Sequence, residues 1–249
     1  MTDRLLFIPP MWISPTGCRM LAGFRAALND FNTRYEVELF SWSTVVGTPR
    51  RDPSWQASAA HLREELERPA HVVTSGSQAA VVLMALDGLE TVHSLVCAGF
   101  AVPPTTLRAM GMASHADASA ATVSRFRLGR GGTYYILRGS MEGATDNEIE
   151  EVAQKLDAEI DLAFLGEVTV SWEGLDLVHE KPRVGCPTLY LNAQLPLYEG
   201  MDQVFKRIVP TAEVDDLEVF SGRLQHAESG HDLTSKAIPF IERHLSGRV

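Results

Sequence analysis

The chain has 249 residues, 45% of them apolar, and a formal net charge of −10 at neutral pH. This length suits one α/β domain carrying an insertion and is short for two independent domains; the apolar fraction suits a sizeable core. No basic stripe stands ready to displace counterions, so nucleic acid and anionic membrane are not expected partners.

In chain order, "RLLFIP" (4–9) reads as a buried strand ended by prolines. The apolar stretch around it is about nine residues long and interrupted by Pro9 and Pro10, too short for a membrane span and poor as a signal peptide. A cytoplasmic location is therefore expected. Residues 15–31 follow with helical spacing at Met20, Leu21, Phe24, Ala27, Leu28 and Phe31. "YEVELFSW" (35–42) alternates as a strand does, and 53–67 is a helix entered through Pro53. "AHVVTS" is a strand, "SQAAVVLMALDG" a helix stopped by Gly88, and "VHSLVCAG" (92–99) another buried strand. Continuous apolar strands alternating with helices predict a parallel sheet covered on both faces.

Residues 100–182 break the pattern, with helical segments and no convincing buried strand. In "TDNEIEEVAQKLDAEI" (145–160), Thr145 and Glu148 make a capping box, and Ile149, Val152, Leu156 and Ile160 form one apolar stripe suited to packing. "RLGRGGTYY" (127–135) reads as a flexible turn, because a phosphate loop needs a strand before it and a helix after it. Alternation returns with a strand at 186–193 and a helix at 201–209. "GRLQHAESGHDL" (222–233) reads as a short strand leading into a loop, and 234–245 as the closing helix. Cys18, Cys97 and Cys186 show no metal-ligand spacing and read as buried thiols, so neither metal nor cofactor is expected.

The stretch "HVVTSGSQAAVVLMAL" (71–86) carries the chemistry. A nucleophile on a tight strand-to-helix turn needs small residues two places before and after it. Ser77 has Ser75 and Ala79 there; Ser75 would have the bulky Val73. The frame selects Ser77, although the motif is S-G-S-Q-A in place of G-x-S-x-G.

With "LLFIPPMW" early, "TSGSQAA" at the turn, "GCPTLYLNAQLPL" late and "ESGHDL" before the last helix, nearly the whole chain resembles the α/β-hydrolase superfamily. The resemblance implies a mostly parallel sheet with helices on both faces, lacking the leading hairpin. It further implies a core of residues 1–99 and 183–249 under a helical cap of residues 100–182. It picks His231 as the base, with His226 as competitor expected inside the preceding strand. The implied oxyanion donors are the amides of Gln78 and Met11, because Pro9 and Pro10 have none. Trp12 lines the pocket or packs in the core. The usual triad Asp position holds Leu195, and loss of that acid costs about four orders of magnitude in turnover. Either Glu199 or Asp202 substitutes, or no strong base is needed.

Three functions follow. The first is serine-dependent hydrolysis or acyl transfer, of the esterase or thioesterase kind, on a small apolar molecule. The second is a non-hydrolytic lyase, cyclase or isomerase using the same Ser/His pocket without a triad acid. The third is a binding protein that has lost turnover. Phe100, Met110, Met112, Phe126, Tyr134 and Tyr135 suggest an apolar site under the cap or packing against the sheet.

Overall fold

Apolar runs that show no alternation become the inner strands of one sheet. The computed structural model describes residues 3–127, 131–141, 143–193, 199–218 and 226–245. Its strands are β1 (Arg4–Ile8), β2 (Glu36–Leu39), β3 (Ala70–Gly76), β4 (Val92–Phe100), β5 (Thr188–Ala193) and β6 (Glu213–Leu217). All pair in parallel, in the order β2-β1-β3-β4-β5-β6. Strands β1, β3, β4 and β5 are almost wholly buried, whereas the edge strands β2 and β6 are half-exposed and rich in carboxylates.

Helices α1 (Pro15–Met20) and α2 (Ala22–Asn32) connect β1 to β2, and α3 (Trp55–Glu65) connects β2 to β3. The first connection steps outward and the second crosses back over β1. With right-handed crossovers they lie on opposite faces of the sheet. α4 (Ala79–Ala85) packs with α3, and the last helix, α12 (Ala227–Leu245), packs with α2. Both faces are thus covered.

Six helices lie between β4 and β5: α5 (Pro104–Ala109), α6 (Ala113–Arg127), α7 (Gly131–Ser140), α8 (Asp146–Asp157), α9 (Leu162–Glu173) and α10 (Leu177–Glu180). The capping box of α8 is formed in both directions, and Ile149, Leu156 and Ile160 are buried. α11 (Met201–Ile208) links β5 to β6. All three cysteines are free and buried. No helix among the described residues is long and apolar enough to cross a membrane.

Three local expectations need correction. The reading of 127–135 as a turn fails from Gly131 onward, where α7 begins. The helix expected over 15–31 is two helices, because Leu21 leaves the helical region at φ −80°, ψ 120°. The closing helix begins at Ala227, seven residues before the expected start; β6 at 213–217 was not foreseen, and the strand expected from 222 lies outside the described residues up to 225.

Candidate active site

In a parallel sheet every strand ends along the same edge, and loops leaving adjacent strands toward opposite faces open a crevice between them. Here those strands are β1 and β3. Ile8 pairs with Thr74, so the loops that follow start side by side, and their connections depart to opposite faces. One loop carries Met11 and the other Ser77.

The loop after β1 is fixed through its carbonyls. Pro9 O accepts from Trp42 Nε1 at 2.7 Å, Pro10 O from Ile13 N at 2.9 Å, and Met11 O from Thr44 Oγ1 at 2.7 Å. Neither proline has an N–H, so Met11 supplies the only one in this tripeptide. Met11 is buried, and its amide makes no hydrogen bond among the described residues. Trp12 is also buried and joins the hydrophobic core, which is the packing side of its two readings.

The turn after β3 places Ser77 between the strand and α4. Its positive φ, 86°, falls at Gly76, where no Cβ is strained. Ser77 comes next, half-buried, and its hydroxyl makes no hydrogen bond among the described residues. Its carbonyl accepts from Trp172 Nε1 at 2.8 Å. The Gln78 amide, at the N-cap of α4, has no acceptor among the described residues. Buried amides are almost always paired, so two without partners on adjacent loops are an arrangement ready for an anion or a polarised carbonyl. The Gln78 side chain is fully buried as well; its Nε2 stands 3.4 Å from Thr74 Oγ1, and its Oε1 has no partner.

The structure pairs His231 with Asp30, and not with Ser77, among the described residues. His231 lies inside α12, packed against α2, and its Nδ1 meets Asp30 Oδ2 at 2.7 Å. Its side chain is 59% exposed. Asp30 belongs to the last turn of α2, which leads into β2, and Glu36 at the start of β2 pairs with Arg4 at the start of β1. The bond turns the ring toward α2, and no hydrogen bond joins it to Ser77 among the described residues. Neither Glu199 nor Asp202 reaches His231, since its carboxylate is Asp30. Both do follow the C-terminal end of β5, Glu199 exposed and Asp202 in the first turn of α11, and neither makes an ion pair among the described residues. Leu195 lies outside the described residues.

His226, the competitor, is placed otherwise than expected. It is not in a strand; it stands immediately before α12. Its ring is exposed and makes no hydrogen bond among the described residues. The signal for where the last helix starts is its apolar period, which traced back through Leu233 places His231 inside the helix.

Of the aromatic and methionine side chains expected under the cap, Phe100 packs edge-on against Phe205 at 5.2 Å, and the Tyr134 hydroxyl donates to Asp146 at 3.0 Å. Met110 and Met112 pack against the core, and Tyr135 is half-exposed. The Phe126 side chain lies outside those described. Among the described residues no cluster of three or more His, Cys, Asp or Glu side chains is disposed to hold a metal ion.

No protein-family model matches the sequence, and a search of curated proteins finds no match. Solved structures do match. An esterase from Exiguobacterium antarcticum superposes with a TM-score of 0.74 at 12% identity, covering 96% of this chain and 92% of the other. A bromoperoxidase from Bacillus anthracis gives 0.73 at 14% identity, covering 97% and 92%. MenH from S. aureus gives 0.67 at 11% identity, covering 98% and 95%. Likeness at this level of identity is a likeness of fold, and the fold is that of the α/β-hydrolases.

Proposed function

Starting from the α/β-hydrolase fold, we propose that this chain is a serine-dependent acyl-transfer enzyme, an esterase or thioesterase for a small apolar substrate. One observation carries the reading: a half-buried serine hydroxyl on the loop after β3 and the amides of Met11 and Gln78 on adjacent loops all lack a hydrogen-bond partner among the described residues. Ser77 Oγ attacks the substrate carbonyl, and the oxygen that gains charge accepts from the N–H groups of Met11 and Gln78. The base is His226, in place of His231. Its neutral imidazole takes the Ser77 proton and returns it to the leaving alcohol or thiol; water then releases the acyl group by the same route. Glu199 and Asp202, which follow β5, are the carboxylates from which His226 could be oriented. Removal of one oxyanion donor costs about 100- to 1000-fold in turnover, so the two amides account for a large part of the rate.

A non-hydrolytic lyase, cyclase or isomerase is the second reading. It is favoured by Gly76, where the positive φ of the turn falls, and by the position of Leu195 where a triad acid is usual. A fluorophosphonate probe separates the two. Acyl transfer predicts a label on Ser77 that is lost in Ser77→Ala and His226→Ala and kept in His231→Ala. Substrate conversion that survives Ser77→Ala, with no label on the wild-type protein, would establish the second reading. Tight ligand binding without conversion would mark a binding protein.

A further inference from the structure

The two amides that have no acceptor among the described residues sit on separate loops, and something must set the distance between them. We propose that α9 is a positioning strut that holds both loops at once, with Trp172 and Thr44 as its contact residues. This inference rests on the acyl-transfer reading of Ser77.

The contacts run in two directions from one rod. At the N-terminal end of α9, the preceding residues are stitched to the loop after β2. Ile160 forms a bridge with Val45, Val46 N donates to Glu159 O at 2.9 Å, and Asp161 N donates to Thr44 O at 2.8 Å. Thr44 Oγ1 in turn donates to Met11 O at 2.7 Å. Asp161 caps α9 by accepting from Phe164 N and pairs with Arg50. At the other end, Trp172 Nε1 donates to Ser77 O at 2.8 Å, with its ring buried. The neighbouring residues pin that end: Ser171 Oγ accepts from Trp55 N at 2.8 Å, and Glu173 O accepts from Thr105 Oγ1 at 2.7 Å.

The strut is therefore a 12-residue helix, about 18 Å long, seated at both ends. Its first end holds Thr44 through Asp161 N, and the Thr44 hydroxyl in turn holds the Met11 carbonyl. Its second end holds the carbonyl of Ser77, which shares a peptide unit with the Gln78 donor. A peptide plane is rigid, so fixing Ser77 O fixes the direction of Gln78 N–H. Fixing Met11 O leaves the plane before it restrained through the Met11 Cα. Cap movement that unseats α9 would misalign both donors, so any opening that preserves the site is confined to α6, α7 and α8.

Two near-isosteric variants test the strut. Trp172→Phe keeps a buried ring and removes the N–H; Thr44→Val keeps the shape and removes the hydroxyl. With a p-nitrophenyl ester as probe, each is expected to lower kcat on the order of 10- to 100-fold while KM stays within about twofold, because a misplaced donor is lost chiefly in the transition state. Amide exchange followed by NMR supplies a readout independent of turnover. Trp172→Phe should speed exchange at Gln78 and not at Met11, Thr44→Val should do the reverse, and the interior of α4 should be unchanged in both. Unchanged exchange at both amides, or a loss confined to KM, overturns the strut. If the wild-type protein neither hydrolyses the ester nor takes the fluorophosphonate, the acyl-transfer reading fails, and the strut stands or falls on amide exchange alone.

Discussion

Gly230 lies where α12 meets α2, and a Cβ built on it would stand 2.1 Å from Gly23 O and 2.7 Å from Ala27 N. Both are backbone atoms, so relief requires moving one helix off the other. This explains the Gly-His pair that drew attention to position 231: the glycine serves a helix contact, and the histidine beside it faces solvent. Local sequence could not separate the two meanings, because a glycine before a histidine looks the same in a loop and in a crossing helix. Gly230→Ala should destabilise the fold by about 1–3 kcal/mol, read from the urea midpoint, since overpacking against backbone has no flexible side chain to yield. His231→Ala loses an exposed pair with Asp30 and should cost less than about 1 kcal/mol. A larger loss in the histidine variant than in the glycine variant would contradict this assignment. By contrast the turn that carries Ser77 between β3 and α4 was legible, because the demand for small neighbours two places away is itself local.

Among the elements, those that carry their own end signals were readable and those defined by a neighbour were not. α8 is the clear case. Thr145 accepts from Glu148 N, and Glu148 returns a bond to Thr145 N at 2.7 Å, as four consecutive residues of sequence announce. Thr145→Ala should lower stability by about 1 kcal/mol, measured by thermal or urea unfolding. A Thr145→Ser control should recover most of it, because the capping oxygen returns. β6 is the opposite case. "EVDDL" has three carboxylates in five residues and resembles a turn, yet it pairs with β5 from Leu189 to Ala193. Charge on an edge strand blunts pairing with other chains, and the hydrogen bonds that make it a strand come from β5. α7 likewise starts on two glycines of poor helix propensity. It is held from outside: Thr133 Oγ1 bonds Asp157 of α8 at 2.5 Å, and Leu137 is fully buried.

At the scale of the molecule, continuous apolar strands were enough to foresee a parallel sheet, and the pairing of β1 with β3 sets the loops of Met11 and Ser77 side by side. Which residue of the helices between β4 and β5 would touch the Ser77 loop was not legible, since Trp172 lies 95 positions from Ser77 and no local pattern links them. The charge network that surrounds the sheet also becomes visible only in three dimensions, and it sets the response to acid. Glu38 is held below its ordinary 4.5 by hydrogen bonds from Arg4 and then Arg68; Asp87 is held below 3.8 by the amide and guanidinium of Arg183; Asp161 is held below 3.8 by the Phe164 amide and Arg50. For each, the unfolded chain binds a proton more readily, so the stabilisation present at neutral pH is lost as pH falls through these values. His61 acts earlier. Burial first, and then Arg51, hold its imidazole below the ordinary 6.5, against the opposing pull of Glu64 and Glu65. The unfolded histidine therefore charges before the folded one, and stability declines as pH drops below 6.5. Urea midpoints measured from about pH 8 down to about pH 3 should show two falls, a shallow one starting near 6.5 and a steeper one below 4.5. His61→Phe, which keeps the ring contact with Phe40 at 4.9 Å, should flatten the first fall and leave the second in place. If the shallow decline persists in that variant, some group other than His61 carries it.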